Sequence, residues 1–314
     1  MDRWFRMAAC GAACLAVGSG ALVAQVRLEP RPVPSFKVAS FTFQSPSMGV
    51  RFAVNVGIPK SYQPGSDRRY PLLVSTDGDW LFPITHETAN NLVSENAIEE
   101  VFVVSIGTSY EDGQDVWVAR RIYEFSAPGW ERKDAWGQVI SGACQTYKSP
   151  PGRCTGGAPG LLKAIADELI PMIAAQYPID RDRLGLFGVS AGGVFAAWAM
   201  FQAESPFHSY LISSPAMAYG DLEVLRQEAR WAAAHKDLPI GVYFGAGALE
   251  MEHPVYEGMG RIMSGMMQLV GSLSTRNYPN LRMTTEVHPG LSHADVVGTV
   301  VARGLRVLYP KRDP

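Results

Sequence analysis

Charge is scarce in this chain of 314 residues. Asp, Glu, Lys and Arg together make up 18%, and the formal net charge is −2. No basic field is available to hold a nucleic acid or an anionic membrane surface, so both partner classes are set aside. Cysteine is also sparse, with four residues, and none falls in a metal-binding spacing. No Gly-rich phosphate cradle and no metal-ligand set is found, so neither a cofactor nor a metal is expected. Internal repeats and a domain linker are lacking too. Apolar residues reach 47%, which excludes a disordered chain and suffices for one large buried core.

The first 24 residues have the pattern of a secretory signal. Arg3 and Arg6 give a positive start, residues 7–23 are small, apolar and uncharged, and Ala21 and Ala24 offer small residues for cleavage. This stretch is poor in Leu and Ile, which argues against a retained anchor. A lipoprotein signal at Cys10 or Cys14 ranks lower, because neither has Leu three residues before it. The mature chain is therefore expected to be exported, to the periplasm or beyond, without a stable membrane span. It would keep Cys144 and Cys154, ten residues apart in a Gly/Pro/Ser-rich loop, and an oxidising compartment favours a disulfide between them. Two free thiols are the alternative. Residues 25–44 read as a Pro-rich leader and a first strand, and 45–314 as the main domain.

Apolar runs mark strands at 36–44, 50–58, 70–75, 101–106, 184–189, 208–213, 240–244 and 283–287. The first two form an antiparallel pair. Helical patterns lie at 85–94, 158–177, 221–234, 256–274 and 294–308, with Pro171 placed to kink the second. Residues 180–183 (Asp-Arg-Asp-Arg) read as a polar turn, and 107–159 as a long irregular region rich in aromatics, Gly and Pro. Strands alternating with helices predict an α/β fold, a mostly parallel central sheet with helices on both faces.

Residues 184–193 read Leu-Gly-Leu-Phe-Gly-Val-Ser-Ala-Gly-Gly. An apolar strand, a Gly-x-Ser-x-Gly turn and a helix predict a nucleophile elbow at Ser190. A serine hydroxyl needs a base, and the base needs an orienting group. In the α/β-hydrolase order, acid and then histidine follow later strands. Glu250, after the strand at 240–244, is the candidate acid, with Glu252 as runner-up. His293, after the strand at 283–287, is the candidate base. His288, nearer the strand end, suits a packed or surface group, and His253 lies on the acid loop. The amides of Ala191 and Asp79 are assigned to the oxyanion hole, Asp79 because Gly78 permits a tight turn after the third strand. A structural turn around a buried serine is the bland alternative.

Four stretches resemble the esterase branch of the α/β-hydrolases, which includes siderophore esterases of the enterobactin and salmochelin type, feruloyl esterases and mycolyltransferase-like proteins. They are Ser47-Met48-Gly49-Val50 leading to Pro59-Lys60-Ser61-Tyr62; Leu72 to Trp80 with its Asp77-Gly78-Asp79 loop; Asp167 to Pro171 followed by the elbow at 186–193; and the acid and histidine loops at 245–250 and 289–293. The resemblance spans roughly residues 45–310. It implies an ester hydrolase acting on a small molecule and supports Glu250 and His293 over their neighbours. The chain departs from the branch at Val189, where members often carry His or Met, in the segment after Arg120-Arg121, and in the loop between Cys144 and Cys154.

Arg120 and Arg121 beside Tyr123 could bind an anionic or catecholate group, or form a salt bridge with Glu124. Trp80, Trp117, Trp130 and Trp136 could line a cleft. Acyl transfer to an acceptor other than water, and a non-catalytic binding module, remain as alternative functions.

Overall fold

A computed structural model describes residues 37–130 and 154–311. The expected signal segment, most of the leader, Trp136 and Cys144 lie outside the described residues, and with Cys144 the Cys144–Cys154 link.

The runs that lack polar residues become the strands of a single eight-stranded sheet. These are β1 (Val38–Gln44), β2 (Arg51–Gly57), β3 (Tyr70–Ser75), β4 (Phe102–Gly107), β5 (Ile179–Val189), β6 (Ser209–Ser213), β7 (Gly241–Gly247) and β8 (Arg282–His288). Their spatial order is β1-β2-β4-β3-β5-β6-β7-β8. β1 pairs antiparallel with β2, and β2 antiparallel with β4; every other pairing is parallel. All residues of β3, β4 and β7 are buried, as expected where helices cover both faces.

The helices are α1 (Gly78–Ser94), α2 (Gln114–Glu124), α3 (Ala158–Lys163), α4 (Ile170–Gln176), α5 (Ala191–Ala199), α6 (Glu223–Ala234), α7 (Ile262–Thr275) and α8 (Val296–Leu308). Successive strand residues point to opposite faces, so neighbours enter different cores. Leu72, Val104, Leu186, Ile212 and Phe244 meet α3, α4, α5 and α7. Leu73, Val103, Phe187, Leu211 and Tyr243 meet α1 and α8. Each such side chain contributes roughly 1.5–3 kcal/mol of burial free energy. Among the described residues, no helix is long and apolar enough to cross a membrane.

Four expectations change. The polar stretch 180–183 belongs to β5. The β3–β5 register slips there, from Tyr70 opposite Ile179 to Leu72 opposite Leu184. The slip leaves Arg181 and Asp182 exposed, while Arg183 Nη1 donates to Glu99 Oε2 at 2.7 Å. Before Pro171 the helix widens into a π-turn over Ala164–Leu169, where the Ile170 N–H reaches back to the Ile165 carbonyl. The missing Pro171 N–H is absorbed by this wider turn. The irregular region contains α2, held by a buried i,i+4 pair in which Arg120 Nε donates to Glu124 Oε1 at 2.7 Å. The helix expected from residue 256 starts at Ile262. Arg261 is left-handed (φ 48°), and the Glu257 carboxylate accepts the Met263 and Ser264 N–H groups at 2.9 and 3.1 Å. Residues 253–260 are thereby left as turns.

Candidate active site

Strand β5 delivers Ser190 at a bend. Its φ of 58° and ψ of −115° form a conformation that a residue with a Cβ adopts only when its surroundings impose it. Those surroundings are specific. The Ser190 N–H donates to the Ser213 carbonyl at 3.0 Å, and its own carbonyl accepts from Val194 and Ala216, both at 3.0 Å. A Cβ on Gly188 would lie 2.0 Å from the Gly192 carbonyl oxygen, and one on Gly192 would lie 2.5 Å from Thr76 Oγ1. The two glycines therefore allow strand, helix and neighbouring loop to close around the serine.

The acid and histidine loops meet. Glu250 sits in the short turn Ala248–Glu252 after β7 and is fully buried. Its Oε1 is hydrogen-bonded to His293 Nδ1. Its Oε2 accepts Ser214 Oγ at 2.9 Å and the Gly247 N–H at 2.8 Å. A carboxylate only accepts, so Nδ1 carries the hydrogen and Nε2 is the basic nitrogen. The Leu249 N–H to Leu291 carbonyl bond, 3.1 Å, fastens one loop to the other. Glu252 is exposed. His288 packs at the end of β8, 3.3 Å from the Tyr243 hydroxyl. His253 is exposed on the acid loop.

The loop after β3 abuts the elbow. Asp77 is left-handed (φ 55°), and its carbonyl accepts the Trp80 and Leu81 N–H groups at 3.1 and 3.2 Å, starting α1. Asp79 Oδ1 accepts Asn55 Nδ2 at 3.1 Å. The N-termini of α1 and α5 thus stand side by side at the ends of β3 and β5. The chain runs outward in both directions from these two strands, so the site lies at the topological switch point of the sheet. Ala191 and Asp79 occupy the first turns of α5 and α1 respectively.

The arginines are engaged internally. Arg121 Nε pairs with Asp77 Oδ1, and its Nη2 donates to Asp77 Oδ2 at 2.9 Å and to the Val189 carbonyl at 3.2 Å. Burial pushes the Asp77 carboxyl up, and the Arg121 charge and hydrogen bonds pull it back. Arg120 takes the salt-bridge alternative with Glu124 and also donates Nη1 to the Arg51 carbonyl at 2.6 Å. Neither is set out to meet a substrate. Tyr123 backs onto Gly157, Trp117 lies 5.0 Å under the Arg121 guanidinium, and Trp130 is buried against Tyr219. Trp80 is 37% exposed, which leaves it open to a substrate. Among the described residues no group of His, Cys, Asp or Glu could hold a metal ion.

Two residues without a role in the sequence reading join the site. Ser214 is one, through its bond to Glu250. Tyr256 is the other, its ring stacked on His293 with centroids 4.2 Å apart. Ser214 directly follows the strand β6 beside the elbow, a position the sequence marks. Tyr256 falls in a stretch that reads as helix and carries no signal.

The profile of the prolyl oligopeptidase family matches residues 168–236. The ferri-bacillibactin esterase BesA of Bacillus subtilis is 28% identical over 158 residues, 49% of this chain and 53% of that protein. The match thus spans about half of that relative's length. The siderophore triacetylfusarinine C esterase of Aspergillus fumigatus is 24% identical over 301 residues, 89% of this chain and 96% of that protein. The crystal structure of the BES protein from Bacillus cereus superposes with a TM-score of 0.70 at 25% identity, covering 90% of this chain and 98% of that one. With the sheet order, the serine elbow and these likenesses together, the chain has the α/β-hydrolase fold and is similar to esterases of siderophores.

Proposed function

We propose that this chain is an exported serine esterase that cleaves a siderophore-type carboxylic ester. The observation that carries the reading is the buried Glu250–His293 pair on the β7 and β8 loops, at the same sheet edge as the strained Ser190. Ser190 Oγ attacks the ester carbonyl carbon while His293 Nε2 takes its proton. The Ala191 and Asp79 amides receive the developing oxyanion. The tetrahedral intermediate collapses, His293 returns the proton to the leaving alkoxide, and an acyl-Ser190 ester remains. Water, deprotonated by the same histidine, then releases the acid and restores the serine.

The substrate class rests on the names of the relatives, two of which are esterases of siderophores. Trp80 is the aromatic group offered to such a ligand. Export rests on the signal pattern of residues 1–24, and the Cys144–Cys154 disulfide is proposed for the exported form.

A fluorophosphonate probe and a panel of siderophore, feruloyl and short p-nitrophenyl esters test the reading. Wild-type protein is expected to label at Ser190 and to turn over siderophore esters fastest, with Ser190→Ala losing both. Unchanged hydrolysis by Ser190→Ala overturns the mechanism, and faster turnover of feruloyl esters overturns the substrate class.

A further inference from the structure

Among the described residues, the one hydrogen bond that orients the His293 ring is that from Nδ1 to Glu250. One such bond fixes the direction of the ring but leaves it able to tilt about the Nδ1–Oε1 line. Tyr256 presses on the face of the imidazole, centroids 4.2 Å apart and planes 23° apart, and blocks that tilt. His253 packs against Tyr256 in turn, with ring centroids 4.3 Å apart and planes tilted by 32°. The backbone that presents Tyr256 is tied down on both sides. His253 Nδ1 accepts the Val255 and Tyr256 N–H groups at 3.2 and 3.4 Å, and the Tyr256 carbonyl accepts the Ile262 N–H at 3.1 Å. The left-handed Arg261 and the Glu257 cap hold α7 one turn beyond it, so the tyrosine is free of the helix and turned to the base.

We propose that Tyr256 is a positioning residue for the general base, acting through His293. The inference rests on the hydrolase reading above. The contact has two consequences. It holds Nε2 aimed along the path of the Ser190 proton. It also strengthens when that proton arrives, because an aromatic face attracts the imidazolium more than the neutral ring. A contact that is stronger in the transition state than in the bound ground state appears in kcat and leaves KM alone.

The test compares wild type, Tyr256→Phe and Tyr256→Leu on a short p-nitrophenyl ester, with circular dichroism to establish that each is folded. Tyr256→Phe keeps the ring and is expected to stay within about twofold of wild type, whereas Tyr256→Leu is expected to lower kcat about tenfold with KM nearly constant. In a His293→Ala background the same Leu substitution is expected to change the residual rate less than about twofold, because its route of action is gone. Wild-type kcat in Tyr256→Leu overturns the inference, as does an equal loss in the His293→Ala background or in Tyr256→Phe. If these occur while wild type labels at Ser190, the hydrolase reading stands and the role of Tyr256 falls. If wild type neither labels nor hydrolyses, both fall.

Discussion

The guanidinium of Arg121 joins Asp77, at the turn after β3, to the carbonyl of Val189, one residue before the elbow serine. A side chain from α2 thereby sets the distance between the loop proposed to hold the oxyanion and the strand that carries Ser190. Asp77 and Arg121 side chains are 1% and 17% exposed. Removing one partner of a buried ion pair strands the other charge, a loss of about 3 kcal/mol. Arg121→Met is therefore expected to lower the unfolding free energy by about that amount and to reduce kcat. Paired with Asp77→Asn it is expected to regain part of the stability, since no charge is left stranded. Urea denaturation of the two single variants and the double variant reads this directly.

Glu250 is satisfied by three donors, the His293 ring, the Ser214 hydroxyl and the Gly247 N–H, and two substitutions separate its bond to His293 from its bond to Ser214. Glu250→Gln preserves the shape but places an amide against His293, favouring the wrong tautomer. A loss in kcat of about 10³–10⁴ is expected, with little change in fold. Ser214→Ala removes one neutral donor from a buried carboxylate and is expected to cost about 1–3 kcal/mol in stability. Its effect on kcat is expected to be far smaller, because Glu250 Oε1 and its bond to His293 remain. Steady-state kinetics alongside thermal unfolding separate the two variants.

Acid should weaken the fold through His86, which is buried in α1 and stacked on Phe82. Burial pushes its imidazole from the ordinary 6.5 down to about 4. Between those values the unfolded chain binds a proton that the folded chain does not, so stability falls as the pH drops from about 6.5 to about 4 and is unaffected by this group at higher pH. At full effect the loss is on the order of 3 kcal/mol. His86→Gln is expected to flatten this part of the pH–stability curve, as measured by urea titrations at a series of pH values. An unchanged slope would exclude His86 as its source.

The parts of the molecule legible in the sequence are those set by local pattern. Runs such as Leu72-Leu73-Val74 and Val103-Val104 had to be buried on both faces, which leaves little choice but a covered parallel sheet. The Gly188 to Gly192 turn announced its serine through its flanking strand and helix. Glu250 lies on the loop after β7, where the sequence reading looked for an acid, and Arg120 takes one of the two alternatives that reading left open, the pair with Glu124. What escaped depends on contacts between distant segments. Arg121 neighbours Arg120, but one residue is a turn of about 100° on a helix, so it points elsewhere and finds Asp77, 44 residues away. The polar start of β5 is hidden by its register slip. Tyr256 lies in a helix-like stretch, and the local break at Arg261 leaves it turned to His293.

The sheet order has a consequence for how activity fails. Ser190 hangs from the central strand β5, but His293, the proposed base, follows β8, which among the described residues is an edge strand and is half-exposed along its length. Edge segments open locally at free energies well below that of global unfolding. A brief detachment of β8 carries His293 away from Glu250 while the core around β3, β5 and β7 stays intact. Heat or mild denaturant is therefore expected to silence the protein before it melts, making turnover a gauge of how firmly the last strand is docked.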